Sequence, residues 1–182
     1  MRLAYADPPY LGKGNRYDDT PEASTREYDD VAAWERLAER LDGFDGWALS
    51  MNGTNLHPLL PLFPDARIAV WVKPFAAFKR NVRIAYTWEP VLFVPGRNSS
   101  ADGAPVGRDH LSEPITMRKG LVGAKPERFC SWVLDLIGWV PGDELVDIFP
   151  GTGVMDRVVR ARSGASEAGQ LALFPESEEV AS

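Results

Sequence analysis

The hydrophobic positions of this chain alternate between short apolar runs and helically spaced stripes. Apolar runs of strand length that are closed by glycine, proline or polar residues predict β-strands. Such runs occupy residues 1–6, 46–51, 66–72, 86–94 and 144–149. Between them, apolar residues recur at helical spacing, which predicts helices over residues 31–41, 56–62, 126–137 and 154–159. The alternation indicates an α/β domain with a mainly parallel sheet.

Three segments lack either pattern. Leu11–Asp30 is rich in Gly, Asn, Asp and Thr and is predicted to be a polar loop. Residues 96–124 contain glycines, prolines and mixed charges with little periodicity, which indicates a long inserted loop. From residue 163 the composition becomes small and acidic, which is typical of a disordered tail. The pattern therefore predicts a folded domain over 1–162 and a tail over 163–182.

Charge is unevenly distributed along the 182 residues. The whole chain has a net charge of −6, but residues 67–128 carry eleven basic and five acidic side chains, a net charge of +6. A locally basic surface attracts phosphates even on an acidic protein, whereas scattered charges would simply be solvated. The basic residues expected to contact nucleic-acid phosphates are Lys79, Arg80, Arg83, Arg108, Arg118 and Lys119.

Cys130 is the single cysteine, which excludes an internal disulfide and favours a reducing, cytoplasmic location. Its apolar neighbours Phe129, Trp132 and Val133 favour a core position over a catalytic one. No apolar run reaches the roughly 20 residues of a membrane-spanning helix, and the first residues lack a signal-peptide pattern. Two histidines and one cysteine, far apart, predict no metal site.

The first apolar run ends abruptly in Asp7-Pro8-Pro9-Tyr10. Two successive prolines fix φ twice and remove two backbone donors, so the chain must leave the sheet in a rigid, extended turn. The turn offers a carboxylate, carbonyl oxygens and an aromatic face, which together suit a planar ring that bears an amino group. The simpler interpretation is that the prolines only end the strand, with Asp7 as a turn residue.

A second constellation follows the last predicted strand. It runs Asp147-Ile-Phe-Pro-Gly-Thr-Gly153 and leads directly into a helix. Glycines in such a turn allow a cofactor to approach the backbone closely at a helix N-terminus. A tight turn from strand to helix would explain the same glycines without a ligand.

Together, these motifs resemble those of a known enzyme family. The segment from Lys125-Pro126 through its helix to Gly151-Thr-Gly153 is similar to the cofactor-binding half of the amino-directed nucleic-acid methyltransferases, and Asp7-Pro-Pro-Tyr10 resembles their catalytic motif. With the catalytic motif first and the glycines last, the order resembles the circularly permuted subgroup of DNA adenine-N6 and cytosine-N4 methyltransferases. The resemblance implies a Rossmann-like, S-adenosylmethionine-dependent methyltransferase fold over residues 1–162, with the loop 96–124 in place of a target-recognition region. Because two strands that the family has after the glycine turn are not evident, the sheet is expected to be reduced, and a homodimer could complete the site.

The resemblance also implies roles for individual residues. Asp7 and the Pro8 carbonyl would accept hydrogen bonds from the target amine, Pro9 would keep the turn rigid, and Tyr10 would stack on the flipped-out base. Lys125, Pro126 and Phe129 would close over the methionine part of S-adenosylmethionine. The other residues expected to line the cofactor site are Asp147, Phe149, Pro150, Gly151, Thr152 and Gly153. Methyl transfer would be direct and in line, without a covalent enzyme intermediate.

The aspartate in the first motif position favours adenine N6 in DNA as the target. The same four residues would serve adenine in RNA. Outside enzymes, the alternative is a non-catalytic nucleic-acid-binding module with a degenerate cofactor site.

Gln170-Leu-Ala-Leu-Phe174 is an apolar segment within the predicted tail. It resembles the short peptide by which bacterial proteins bind the replication sliding clamp, with Gln170, Leu171, Leu173 and Phe174 as the contacts. Alternatively, its apolar side chains could fold back onto the domain.

Overall fold

The computed structural model describes residues 1–12, 25–75, 82–97, 107–116 and 124–172. Six strands and four α-helices occupy these ranges. The strands are β1 (Arg2–Ala6), β2 (Gly46–Ser50), β3 (Arg67–Val72), β4 (Trp88–Val94), β5 (His110–Ser112) and β6 (Glu144–Asp147). The helices are α1 (Val31–Asp42), α2 (Gly53–Leu59), α3 (Glu127–Ile137) and α4 (Val154–Ala172), with 3₁₀ helices over Thr25–Asp29 and Leu60–Leu62.

All six strands form one sheet in the order β5-β3-β4-β2-β1-β6. β4 is antiparallel to both of its neighbours, and the other three pairings are parallel. Five strands therefore run in one direction and β4 in the other, which confirms the predicted mainly parallel α/β sheet. The carboxyl ends of β1, β2, β3 and β6 lie at one edge of the sheet, together with the beginning of β4.

Both faces of the sheet are buried, as the near-continuous apolar character of β1 and β2 requires. Leu3 and Tyr5 point into the core that α3 and α4 cover, whereas Ala4 and Ala6 point into the core that α1 and α2 cover. Cys130 is fully buried on the α3 side, and burial raises the pKa of its thiol to about 12. The structure thus confirms that the cysteine is a core residue. A thiol with so high a pKa remains protonated and unreactive at neutral pH.

Several elements differ from the sequence-based expectation. The 3₁₀ helix Thr25–Asp29 lies inside the predicted polar loop, and α2 begins at Gly53, before the predicted helix 56–62. The three-residue strand β5 lies inside the predicted loop 96–124 and pairs with the end of β3. It is too short to show periodicity, and only Leu111 of the strand is buried. Helix α4 continues to Ala172, so residue 163, where the disordered tail was expected to begin, lies inside a helix. Within the described ranges, none of the helices combines the length and the hydropathy that crossing a membrane requires.

Candidate active site

The two constellations found in the sequence lie side by side at the carboxyl edge of the sheet. β1 and β6 pair in parallel with Tyr5 opposite Asp147, and the Ile148 amide donates to the Tyr5 carbonyl at 2.9 Å. The Asp7 turn and the glycine turn therefore leave neighbouring strands at the same level. This edge is where ligands bind in open α/β sheets.

Asp7 forms an ion pair with Lys125, which precedes α3. The Lys125 Nζ donates to Asp7 Oδ2 at 2.6 Å, and the two side chains are only 9% and 22% exposed. Burial raises the pKa of the Asp7 carboxyl, and the ammonium of Lys125 opposes that rise. Burial alone would lower the pKa of Lys125, but the negative charges around it, that of Asp7 first, outweigh burial and raise it. The geometry is that of a buried ion pair that keeps the lysine protonated.

Tyr10 joins this pair to a second one. Its hydroxyl donates to Glu89 Oε2 at 3.2 Å and accepts from Lys125 Nζ at 3.4 Å. Glu89 in turn forms an ion pair with Lys73, whose ammonium lies 4.5 Å from the centre of the Trp71 ring. Acidic and basic groups thus alternate across the site from β1 to β3.

Strand alternation explains why these side chains share one face. Asp7 follows the buried Tyr5 by two residues, and Lys73 follows the buried Trp71 by two. Because every second residue of a strand points to the same side, both project on the α3 face. Glu89 pairs with Trp71 in the sheet, which places its carboxylate on that face too. Sequence reasoning missed Lys73 and Glu89 as site residues, although this alternation at the two strand ends was the signal that could have found them.

The Asp7 turn is also held by hydrogen bonds in the sheet that precedes it and in the segment that follows it. The Tyr5 and Ser50 hydroxyls are hydrogen-bonded at 2.9 Å in the buried layer beneath it. Pro8 is buried, and the Asn55 amide donates to the Leu11 carbonyl at 3.4 Å just after the turn. These contacts hold the turn on rigid elements of the sheet, which is the condition for a preorganised site.

The glycine turn has the geometry expected of a close backbone approach. Gly151 and Gly153 have φ of +47° and +65°, a region that favours glycine. The Gly153 amide donates to the Pro150 carbonyl at 2.7 Å, and Arg157 donates to the Thr152 carbonyl at 3.0 Å. No described atom lies within 4 Å of the position that a side chain at Gly153 would take. The open backbone before α4, with the half-buried Asp147 at the end of β6, fits a nucleoside-like cofactor.

Two solved structures are similar to this chain in fold. The M1.HpyAVI-SAM complex superposes with a TM-score of 0.57 at 15% sequence identity, covering 88% of this chain and 78% of that one. A second crystal structure, that of M1.HpyAVI, superposes with a TM-score of 0.54 at 13% sequence identity, covering 88% of this chain and 76% of that one. The fold is that of the S-adenosylmethionine-dependent methyltransferases. No protein-family model and no curated protein matches the sequence.

Three predicted cofactor residues lie at or near the start of α3. Phe129 is fully buried and packs against Trp71 and Trp132 at ring-centroid distances of 4.8 and 5.8 Å. The Phe129 ring therefore belongs to the core, and its role in closing over the cofactor stays a prediction. Pro126 is likewise buried at the start of α3. The Lys125 ammonium contacts the Asp7 turn through its hydrogen bond to Asp7.

Phe149 packs on the face of the sheet that α1 and α2 cover, whereas Lys125 lies on the α3 face. Its ring meets that of Tyr28 edge-on at 5.3 Å, among the residues that α1 and α2 cover. Pro150, Gly151 and Thr152 are exposed in the turn beyond it. The glycine turn is therefore preceded by Asp147, at the end of β6, and by Phe149, which packs on the α1 and α2 side.

The predicted phosphate contacts are only partly described. Arg83 is exposed shortly before β4. Arg108 is exposed before β5, and its carbonyl accepts from the Trp132 indole of α3. Lys79, Arg80, Arg118 and Lys119 lie outside the described residues, as do Leu173 and Phe174 of the proposed clamp segment. Gln170 and Leu171 are helical as part of α4. Within the described part of the chain, no three His, Cys, Asp or Glu side chains are grouped as a metal site would need.

Proposed function

We propose that this protein transfers a methyl group from S-adenosylmethionine to the exocyclic N6 amine of adenine in DNA. The observation that carries the proposal is the placement of the Asp7 carboxylate and the Tyr10 ring beside an open glycine turn on the neighbouring strand. An amine acceptor and a methyl donor held at these two turns would lie next to each other, which is the requirement for direct transfer.

The Asp7 turn supplies what an exocyclic amine needs to become a nucleophile. Its lone pair is delocalised into the base until acceptors hold its two protons. A carboxylate has two oxygens, so Lys125 on Oδ2 leaves Oδ1 to accept from the amine, and the Pro8 carbonyl can accept the second proton. These hydrogen bonds strengthen as the nitrogen gains positive charge, which is how they lower the barrier.

The glycine turn and Asp147 would hold the cofactor. When bound, S-adenosylmethionine supplies a methyl group on a positively charged sulfur, and the new N–C bond forms as the C–S bond breaks. The methylated nitrogen then loses one proton, which the Asp7 carboxylate would accept. Tyr10 stacks on the base, and the buried side chains beneath the turn exclude water from the amine.

Nucleic acid as the substrate is supported by the basic middle of the chain, in which Arg83 and Arg108 are exposed. Phosphate contacts of this kind position a duplex without reading its sequence. The same site would accept adenine in RNA, so the test includes both polymers.

Nucleoside mass spectrometry after incubation with S-adenosylmethionine tests the proposal. Unmethylated DNA and RNA are each treated with the wild-type protein, with Asp7→Asn, and with Asp135→Asn as a control on the exposed side of α3. We expect N6-methyladenine in DNA from the wild type and the control, and its loss in Asp7→Asn. Methylated adenine found only in RNA would show that RNA, and not DNA, is the substrate. No product in either polymer, together with no thermal stabilisation by S-adenosylmethionine, would favour a non-catalytic binding module.

A further inference from the structure

The ion pair of Lys73 and Glu89 lies in the site, yet neither residue has a part in the chemistry described above. We infer that Glu89, held by Lys73, is a positioning residue that fixes the ring of Tyr10 for stacking on the target base. The inference rests on the proposed function and adds two residues to it.

The carboxylate of Glu89 is divided between two partners. One oxygen, Oε2, accepts from the Tyr10 hydroxyl at 3.2 Å, and the other, Oε1, pairs with Lys73. The side chains of Lys73 and Glu89 are only 12% and 18% exposed. A largely buried pair of this kind recovers little stability, because desolvation of the two ions offsets most of their attraction. Its contribution is therefore better sought in orientation than in stability.

The sheet fixes this carboxylate firmly. Glu89 is paired with Trp71 across β3 and β4, and the Lys73 amide donates to the Thr87 carbonyl at 2.7 Å. The Trp71 ring supports the Lys73 ammonium from one side, and the Trp71 indole nitrogen donates to the Glu113 carbonyl at 2.7 Å. Each group that holds Glu89 thus belongs to the hydrogen-bonded ladder or to the core.

Tyr10, in contrast, follows the sheet on a turn. Pro9 fixes the backbone before it, but the ring can still rotate about two side-chain bonds. The Glu89 carboxylate restrains this rotation through a charge-assisted hydrogen bond to the hydroxyl, and the Lys125 ammonium contacts the same oxygen at 3.4 Å. A ring that is already oriented does not lose rotamer entropy when the base arrives, so the benefit should appear in binding of DNA.

A double-mutant cycle tests this coupling. Tyr10→Phe removes only the hydroxyl, Glu89→Met removes the acceptor, and Glu89→Gln is the conservative variant that keeps an acceptor oxygen. We expect Glu89→Met to raise the apparent KM for DNA by about 3- to 10-fold with a smaller change in kcat, and Glu89→Gln to restore much of the loss. In the Tyr10→Phe background, Glu89→Met should have no further effect on KM. Asp135→Asn, which removes the charge of an exposed α3 pair with Arg162, should leave KM unchanged.

Equal effects of Glu89→Met on KM in the presence and absence of the Tyr10 hydroxyl would overturn the inference. The same cycle on the free energy of unfolding reports the contact without any need for activity. If the wild type methylates no nucleic acid, the proposed function falls and this role falls with it. If methyl transfer occurs but the KM cycle shows no coupling, only the positioning role is lost.

Discussion

Replacement of Lys125 by methionine removes the ammonium next to Asp7 while keeping an unbranched chain of similar length. The Asp7 carboxyl is then a buried acid without its cation, and burial already raises its pKa. A protonated Asp7 is a weaker hydrogen-bond acceptor for the amine than the carboxylate is, so methyl transfer should be impaired at lower pH. At higher pH the carboxylate is restored, and much of the activity should return.

The size of this effect on the proton affinity of Asp7 follows from its contact with the Lys125 ammonium at 2.6 Å. Two unit charges about 4 Å apart attract by about 4 kcal/mol at an effective dielectric constant near 20. A cation next to a carboxyl typically favours the ionised form by about 1.4–4 kcal/mol, which agrees with this attraction. That range corresponds to about 10- to 1000-fold in the proton affinity of Asp7. On the acid limb, kcat/KM should therefore fall at least about tenfold relative to the wild type.

The assay is the pH dependence of kcat/KM for DNA methylation in the wild type, Lys125→Met, Lys125→Arg and Arg128→Met. Lys125→Arg keeps the charge and should retain most of the wild-type profile. Arg128→Met removes an exposed cation from the same helix and should leave the profile unchanged. If the Lys125→Met profile only scales down, with its acid limb in the wild-type position, the lysine does not maintain the ionised carboxylate and the reasoning is wrong.

Three further predictions concern stability and reactivity. A methyl group at Gly46 would lie 2.3 Å from the Gly96 nitrogen, so Gly46→Ala should destabilise the fold by about 1–3 kcal/mol in chemical denaturation, and a fully stable variant would contradict this packing. Asp143 has a side chain that is 4% exposed and accepts from Arg97 at 2.5 and 2.8 Å, and these hydrogen bonds hold its pKa well below its usual range. The stability that the Asp143 carboxylate contributes is present above its unfolded-state pKa and is lost as pH falls. Asp143→Asn should therefore lower the free energy of unfolding by about 3 kcal/mol at pH 7 and by progressively less below about pH 4. An equal loss at pH 7 and below pH 4 would refute the assignment. Cys130 should react with thiol reagents at neutral pH only after unfolding, and rapid labelling of the native protein would show that the core is open there.

Local pattern predicted most of the elements because each has a local cause. Helix α1 begins at the predicted residue, where the Asp30 side chain caps it by accepting from the Ala32 amide, and its buried residues follow the helical period. β2 and β6 are likewise close to their predicted ranges, since their apolar runs are closed by turns. The sequence pattern did not predict β5, because this strand is stabilised by parallel pairing with β3. Three residues are too few to show the alternation of buried and exposed positions that marks a strand.

The positions of the site residues depended on non-local pairing. Asp7 and Lys125 are 118 positions apart in the chain, and their contact exists because the start of α3 lies over the end of β1. The family resemblance implies a cofactor role for Lys125, and its contact with Asp7 could not be read from that motif. The two prolines and two glycines predicted where the turns are, but only the sheet order could show which side chains meet between them.

The charge arrangement of the site is consistent with the chemistry proposed for it. The described network contains two carboxylates, Asp7 and Glu89, and two ammonium groups, Lys73 and Lys125. Both the methyl donor and the methylated amine carry positive charge during transfer, so an excess of fixed cations would oppose the reaction. Each lysine instead lies against a carboxylate, and the Asp7 carboxylate is the charged group on the turn that would receive the base. An electrically balanced network therefore provides negative charge where the amine becomes positive, while each buried ion keeps the partner that burial requires.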